Sequence, residues 1–191
     1  MLERFQAPSY TVRRKVLKLL GGAFHVYDDQ GTLQFYSKQK AFRLKEDIRL
    51  YSDESMRHEV LAIRARTAID FSAAYDVYDS ENSQLVGTLK RSGWRSISRD
   101  YWTIFDPSDN MVGSISEDSG LMALVRRFAS NLIPQTFHAE LAGEEMCTYR
   151  QHFNPFVYKL DIEFPPDAAA FERIIGIAGG VLLAAIEGRQ D

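Results

Sequence analysis

The sequence predicts a mainly β fold: a closed antiparallel barrel wrapped around a buried C-terminal helix, with one further helix on the surface. Two observations predict it. A strand–turn unit recurs along the chain, and a segment near the C-terminus would be apolar on every face of a helix. The 191 residues fit a single domain, 1–191. A chain of this length buries enough surface on folding to need neither disulfides nor structural metal.

The recurring unit reads aromatic, any residue, Val or Ile, aromatic, Asp, a short polar turn, and then an apolar strand. Asp at the end of a strand starts a turn by accepting hydrogen bonds from nearby backbone N–H groups. β-branched and aromatic residues favour the flanking strands. Each copy therefore predicts a β-hairpin. The three copies are Phe24–Asp28, Tyr75–Asp79 and Trp102–Asp106.

Two more pairs of apolar segments predict further hairpins. Ile48–Tyr51 and Val60–Ile63 flank a polar stretch, and Cys147–His152 and Val157–Phe164 flank an Asn-Pro turn. About ten strands or more at regular spacing are typical of a barrel or a sandwich. The cluster Arg13–Lys15 is interpreted as an exposed edge.

Two segments predict helices. Ser119–Asn131 has apolar residues at helical spacing on one face and is the surface helix. The second helix is predicted to begin after Asp167, taken as its N-cap, and to run to about Gly188.

The second helix contains an uncharged apolar run, Ile174–Ile186, which is 13 residues long. A membrane-spanning helix needs about 20 residues, so the length favours a buried helix over a membrane anchor. In a chain otherwise made of strands, a helix that must be surrounded predicts a barrel with its own C-terminus as the plug. Gly176, Gly179 and Gly180 are predicted to let side chains of the barrel wall approach the helix axis.

The hairpin series, together with Phe42–Ile48, Val86–Arg91 and Asn154–Phe156 before a terminal apolar helix, resembles the tubby C-terminal-like superfamily. This superfamily includes the phospholipid scramblases and the LURP-one-related proteins, and the resemblance extends from about Val12 to Ile186. It implies a 12-stranded barrel around a C-terminal helix. It also suggests lipid chemistry, because tubby proteins bind phosphoinositides through a basic surface and scramblases are implicated in lipid movement.

One basic window is the candidate lipid-binding site. Leu89–Arg99 contains four cations and a Trp but no acid. Cations beside an interfacial aromatic suit an anionic membrane surface. The alternative is that these cations pair with acids such as Asp100 or Glu46 across the sheet. The candidate residues are Lys90, Arg91, Trp94, Arg95 and Arg99.

The sequence gives little support for a catalytic site or a metal site. The four His residues lack metal-ligand spacing, and Cys147 and His152 would lie on opposite faces of one strand. Three carboxylates before the C-terminal helix are too few for Ca²⁺, which takes six to eight oxygen ligands. We therefore expect no catalytic residues, no metal and no cofactor. The three carboxylates considered for Ca²⁺ are those of Asp161, Glu163 and Asp167.

The predicted function is that of a non-enzymatic barrel domain which binds anionic phospholipid headgroups peripherally. A net charge of -3 argues against a nucleic-acid partner. The single cysteine, Cys147, suits a reducing compartment, and we expect a cytoplasmic protein that can associate with a membrane surface. Two alternatives stay open: a soluble scaffold that binds another protein, and scramblase-like lipid transfer.

Overall fold

The structure, a computed structural model, describes residues 2–15, 22–39, 47–66, 73–91, 101–117, 135–152, 154 and 157–186. Within these residues the fold is mainly β, with a short 3₁₀ helix at Leu2–Phe5 and one α-helix, α1, at Ala170–Ile186. The strands are β1 Ser9–Lys15, β2 Gly22–Asp28, β3 Leu33–Gln39, β4 Asp47–Tyr51, β5 Glu59–Ala65, β6 Ala74–Asp79, β7 Gln84–Arg91, β8 Tyr101–Phe105, β9 Met111–Glu117, β10 Thr136–Leu141, β11 Glu144–His152 and β12 Val157–Glu163.

The twelve strands form one closed antiparallel barrel. Each strand pairs with its neighbours in the chain, and β1 closes the barrel by pairing with β12. The register of the closing pair sets Ser9 opposite Glu163 and Lys15 opposite Val157. The predicted barrel around a C-terminal helix is therefore confirmed, while the predicted surface helix at Ser119–Asn131 lies outside the described residues.

The connections alternate between the two ends of the barrel. We call one end the turn end. It contains the connections β2–β3, β4–β5, β6–β7, β8–β9 and β10–β11 and the entry of the chain into α1. We call the other end the loop end. It contains the connections β1–β2, β3–β4, β5–β6, β7–β8, β9–β10 and β11–β12, and α1 ends there.

Asp residues build the turns as the repeated unit predicts. Asp28 Oδ1 accepts hydrogen bonds from the backbone N–H groups of Gln30 (3.0 Å) and Thr32 (2.7 Å). Asp106 Oδ1 does the same for Ser108 and Asn110, at 2.8 and 2.9 Å. Asp79 holds the third turn through similar bonds to Glu81 and Asn82. The three predicted hairpins are β2–β3, β6–β7 and β8–β9.

Helix α1 fills the barrel, and its residues from Arg173 to Ala185 are buried. The predicted close approach at its glycines is confirmed. A Cβ added at Gly176 would lie 2.6 Å from the Phe164 ring, and one at Gly179 would lie 2.6 Å from Tyr149 Oη. Tyr149 Oη donates a hydrogen bond of 2.9 Å to the Gly176 carbonyl. The helix is therefore held by direct contact with the wall of the barrel.

The start of α1 differs from the prediction. Ala169, rather than Asp167, occupies the N-cap position: its carbonyl accepts the N–H of Arg173 (3.1 Å), and its own N–H donates to Glu172 Oε2 (2.7 Å). The carboxylate of Glu172 thus reaches back to satisfy an N–H that the helix leaves without an internal partner. The prediction of Asp167 as the N-cap did not take the side chain of Glu172 into account.

The interpretation of Arg13–Lys15 as an exposed edge is wrong. Strand β1 is not an edge, because it pairs with β2 on one side and β12 on the other. Arg13 is exposed, but Arg14 faces inward with Val12 and donates a hydrogen bond of 2.8 Å to the Ala184 carbonyl near the end of α1. A cation at the C-terminal end of a helix complements the helix dipole.

Candidate functional site

Lys90 and Arg91 lie at the loop end of β7, and Trp94, Arg95 and Arg99 fall outside the described residues. The two described residues occupy opposite faces of the strand. Lys90 is exposed on the outer face, whereas Arg91 is half-buried on the face of the buried Leu89. They therefore share one end of the barrel but not one face of the sheet.

Lys90 is not engaged with an acid among the residues that the structure describes. Its cross-strand neighbours are Ala74 on β6 and Thr103 on β8, both uncharged. Asp76, which is opposite Thr88 on β7, instead binds Arg66, and so does Asp109 from the β8–β9 turn, with N–O distances of 2.6 and 3.0 Å. Among the described residues no acid therefore binds Lys90, while Asp100 and Glu46, the predicted alternative partners, lie outside the described ranges, so this alternative stays untested.

Charge is distributed unevenly along the barrel axis. The segments at the turn end, 2–8, 28–32, 52–59, 79–84, 105–111, 140–145 and 163–173, contain 16 of the 26 Asp and Glu residues but 3 of the 23 Lys and Arg residues. The rest of the chain therefore has 10 acids and 20 Lys and Arg residues. The net charge of -3 conceals a strongly acidic turn end and a basic remainder.

The chain segments that join strands at the loop end contribute to this basic remainder. The internal stretches 16–21, 40–46, 67–72, 92–100 and 118–134 together carry eight Lys and Arg residues and four acids. The candidate residues Arg95 and Arg99 belong to this group. The basic window is therefore one part of a wider excess of positive charge in the sequence that connects strands at this end.

A second basic feature was missed by sequence reasoning. His152, Lys159, Arg13 and His25 are cross-strand neighbours on β11, β12, β1 and β2, and they form a row on the outer wall. We call these four residues the outer row, of which Arg13 and Lys159 are cations. No local signal could have found it, because its members are far apart in the chain and meet through the closure of the barrel.

Asp161 lies beside the outer row. Its carboxylate accepts hydrogen bonds from Thr11 Oγ1 (2.7 Å) and His152 Nε2 (2.5 Å), and Lys159 Nζ is 3.4 Å away. Partial burial raises the pKa of Asp161, but the hydrogen bonds from Thr11 and His152 and the charge of Lys159 outweigh it, so the pKa lies below its usual value.

The thiol of Cys147 is buried against α1, and burial raises its pKa to about 12. His152 lies on the outer face of the same strand, as the odd spacing predicts. A protonated thiol without a neighbouring base is a poor nucleophile. Among the described residues there is also no group of three or more His, Cys, Asp or Glu side chains that could hold a metal ion.

None of the helices in the described part of the chain is long and apolar enough to cross a membrane. Helix α1 has 17 residues.

Comparison with known proteins identifies the family. The family model described as LURP-one-related matches residues 9–176. The chain belongs to the LURP-one-related family. This family is part of the tubby-like C-terminal superfamily, so the resemblance seen in the hairpins and the terminal helix is confirmed.

A solved structure supports the fold of this LURP-one-related protein. The crystal structure of a protein from Arabidopsis thaliana has 17% sequence identity and a TM-score of 0.52, covering 96% of this chain and 95% of its own. At this identity the likeness supports the fold alone. No protein with a curated description matches the chain significantly.

Proposed function

We propose that this LURP-one-related protein is a non-enzymatic barrel that binds anionic phospholipid headgroups peripherally, with the loop end towards the membrane. The observation that carries the proposal is the separation of charge between the acidic turn end and the basic remainder. The proposed contact residues are Lys90, Arg91, Trp94, Arg95 and Arg99.

Charge separation explains how a chain of net charge -3 can approach an anionic surface. At physiological salt, charges are screened beyond about 8 Å, so a membrane that meets the loop end interacts little with acids farther away than this. Asp109 is an exception among the turn-end acids, because it reaches Arg66 next to the loop end, and there it is paired with that cation at 3.0 Å. Each cation close to the lipid surface contributes about 1 kcal/mol. The candidate cations together would give about 4 kcal/mol of attraction before losses in side-chain freedom.

Scramblase-like transfer in which the helix enters the bilayer is the weaker alternative. Helix α1 would have to leave Arg14, which binds the Ala184 carbonyl, and Tyr149, which binds the Gly176 carbonyl. It would also expose the apolar interior of twelve strands to water. The proposed contact therefore keeps α1 inside the barrel.

Vesicle co-sedimentation tests the proposal. We expect binding to vesicles that contain phosphatidylserine or phosphoinositide, no binding to phosphatidylcholine vesicles, and loss of binding as salt rises. Replacing the four cations Lys90, Arg91, Arg95 and Arg99 by Gln should weaken binding by about a hundredfold or more.

A charge-matched variant provides the control. Gln30→Glu, Gln84→Glu, Ser108→Asp and Ala142→Asp add four negative charges at exposed positions of the turn end, so this variant has the same net charge as the Gln variant. We expect it to keep most of its vesicle binding. Equal losses in the two variants would contradict an oriented contact, and no binding by the wild type at any salt would favour a protein partner.

A further inference from the structure

Trp102 is a buried side chain whose polar atom has no acceptor. It lies on β8 near the loop end with 1% exposure, and its Nε1–H forms no hydrogen bond in the described part of the chain. Tyr10 and Tyr149, which are also large and fully buried, donate to the carbonyls of Arg4 and Gly176. Buried Trp N–H groups usually have an acceptor, because an unpaired one loses its hydration without compensation. The Trp102 N–H is therefore a donor that a bound acceptor would satisfy.

The indole ring of Trp102 extends over the inner face of β7. Its ring centroid is 5.9 Å from that of Tyr75 on β6, and β7 lies between β6 and β8 in the barrel. On β7, Arg91 is directly opposite Trp102 and on the same inner face, at the loop end. The ring therefore points towards the strand of Arg91 and not away from it.

Arg91 supplies a positive charge beside this donor. Side chains opposite each other in an antiparallel pair have Cβ atoms about 5 Å apart, so one oxyanion can contact both the guanidinium and the indole N–H. Arg91 is half-buried, so its side chain can be reached from the loop end. A guanidinium forms strong paired hydrogen bonds to phosphate oxygens, and the mouth of a barrel with a few polar groups is a common place for a ligand.

A buried carboxylate limits the charge of the ligand. Glu117 is 7% exposed on the inner face of β9 at the loop end, and β9 is the strand next to β8. It lies two residues beyond Ile115, which is opposite Trp102. Charges interact strongly where the dielectric constant is low, so a carboxylate in this layer favours a ligand with one negative charge over a ligand with two.

From this arrangement we propose that the Trp102 N–H and the Arg91 guanidinium bind one singly charged phosphate diester at the loop-end mouth of the barrel. Phospholipid headgroups contain such a diester, and this source rests on the proposed function, in which the loop end meets the membrane. A soluble phosphate diester has the same chemistry. The site adds to the proposed contact a directional hydrogen bond from an uncharged donor, which attraction between charges does not require.

Proton–nitrogen NMR detects the N–H donor directly. The chain has two Trp residues, so Trp102→Phe identifies which of the two indole signals belongs to Trp102. Titration with dimethyl phosphate at constant ionic strength should move this signal downfield to saturation. Trimethyl phosphate, which is uncharged, should produce no saturable shift. Absence of a saturable shift with dimethyl phosphate would overturn the proposal.

Two substitutions measure what the two side chains contribute. Arg91→Gln should weaken dimethyl phosphate binding by about tenfold or more, followed by the Trp102 signal. Trp102→Phe should weaken it by about tenfold, followed by the backbone amide signals of β7 and β8. Circular dichroism verifies that each variant is folded, and Arg91→Gln leaves the buried rings unchanged.

Arg13→Gln is the matched control for Arg91→Gln. It removes one exposed cation from the loop-end half of β1, which is six strands from β7 in either direction around the barrel. It should bind dimethyl phosphate like the wild type. Equal weakening in Arg13→Gln and Arg91→Gln would show a nonspecific effect of charge and overturn the proposal.

Vesicle binding separates this site from the proposed function. Trp102→Phe keeps the net charge, so attraction between charges alone predicts unchanged binding to phosphatidylserine vesicles. The site predicts vesicle binding weakened by about tenfold. Unchanged vesicle binding in Trp102→Phe, without a dimethyl phosphate shift in the wild type, would overturn the site and leave the proposed function intact. Saturable dimethyl phosphate binding without any vesicle binding would support the site with a soluble ligand and overturn the proposed function.

Discussion

The two ends of the barrel are built differently. At the turn end, strands are joined by two to seven residues, and Asp side chains hold the turns through local hydrogen bonds. At the loop end, the joining segments have four to eighteen residues and an excess of Lys and Arg. The difference indicates that local hydrogen bonding specifies the structure of the turn end, while the longer connections at the loop end can contribute residues to recognition.

The two ends also hold α1 differently. At the turn end, Arg173 donates to the carbonyls of Ala7 (2.7 Å) and Ala168 (3.0 Å), although a cation near the start of a helix opposes the dipole. At the loop end, Arg14 donates to a buried carbonyl, that of Ala184, and complements the dipole. We therefore expect the Arg14 contact at the loop end to stabilise α1 more than the Arg173 contacts at the turn end.

The largest effect is expected where α1 meets the wall between the two ends. Gly176→Val should lower the free energy of unfolding by about 3 kcal/mol or prevent folding, because the added side chain would overlap the Phe164 ring. Urea unfolding measures the change. Gly143→Asn, in the open β10–β11 turn with φ of 89°, is the control and should lose about 1 kcal/mol. Similar losses at the two glycines would contradict tight packing of the helix.

A comparison of Arg14→Met with Arg173→Met tests which end holds the helix. We expect Arg14→Met to lose about 2 kcal/mol, since it removes a charged hydrogen bond from a buried carbonyl. Arg173→Met should lose about 1 kcal/mol, because the carbonyls of Ala7 and Ala168 lie in partly exposed residues that water can reach. Both values come from urea unfolding. A larger loss for Arg173→Met would mean that the turn end is the main anchor.

The smallest predicted effect is on folding stability at acidic pH, through carboxylates at the turn end. Hydrogen bonds from the side chain and backbone of Asn110 hold the pKa of Asp106 below its usual value, and a similar depression occurs at Asp53 through its bonds to Ser55. A depressed carboxyl pKa contributes stability above the unfolded-state value, near 3.8, which is lost as pH falls through the folded-state pKa.

The melting temperature between pH 5 and pH 2 measures this contribution. Asp106→Asn should flatten the acid-induced fall, because Asn cannot be protonated in this range and keeps an acceptor oxygen for the turn. Parallel curves for the wild type and the variant would show that the turn carboxylate adds nothing to the pH dependence of folding.

Local patterns in the sequence were sufficient to predict most of the hairpins and the buried helix. The Asp turns depend on side chains and backbone atoms within four residues, and an all-apolar helix must be enclosed. Strand β1 and the β10–β11 hairpin lack the repeated unit and were not predicted from the residues. The N-cap of α1 was missed because Glu172, and not the expected Asp167, supplies the capping carboxylate.

The candidate site was predicted less completely than the fold. The sequence identified a basic window, and alternation along a strand separates Lys90 from Arg91, but alternation does not say which strands are neighbours. Only the structure showed that Lys90 has uncharged cross-strand neighbours and that Asp76 and Asp109 are occupied by Arg66.

By itself, the sequence determined the strands that have local turns, the apolar plug and the small residues on its surface. The tertiary structure decided which charges face inward, as Arg14 does, and which face each other across the wall, as Arg13 and Lys159 do. The physical reason is the closing pair: β1 and β12 come from opposite ends of the described chain, and their register is fixed when the barrel closes around α1.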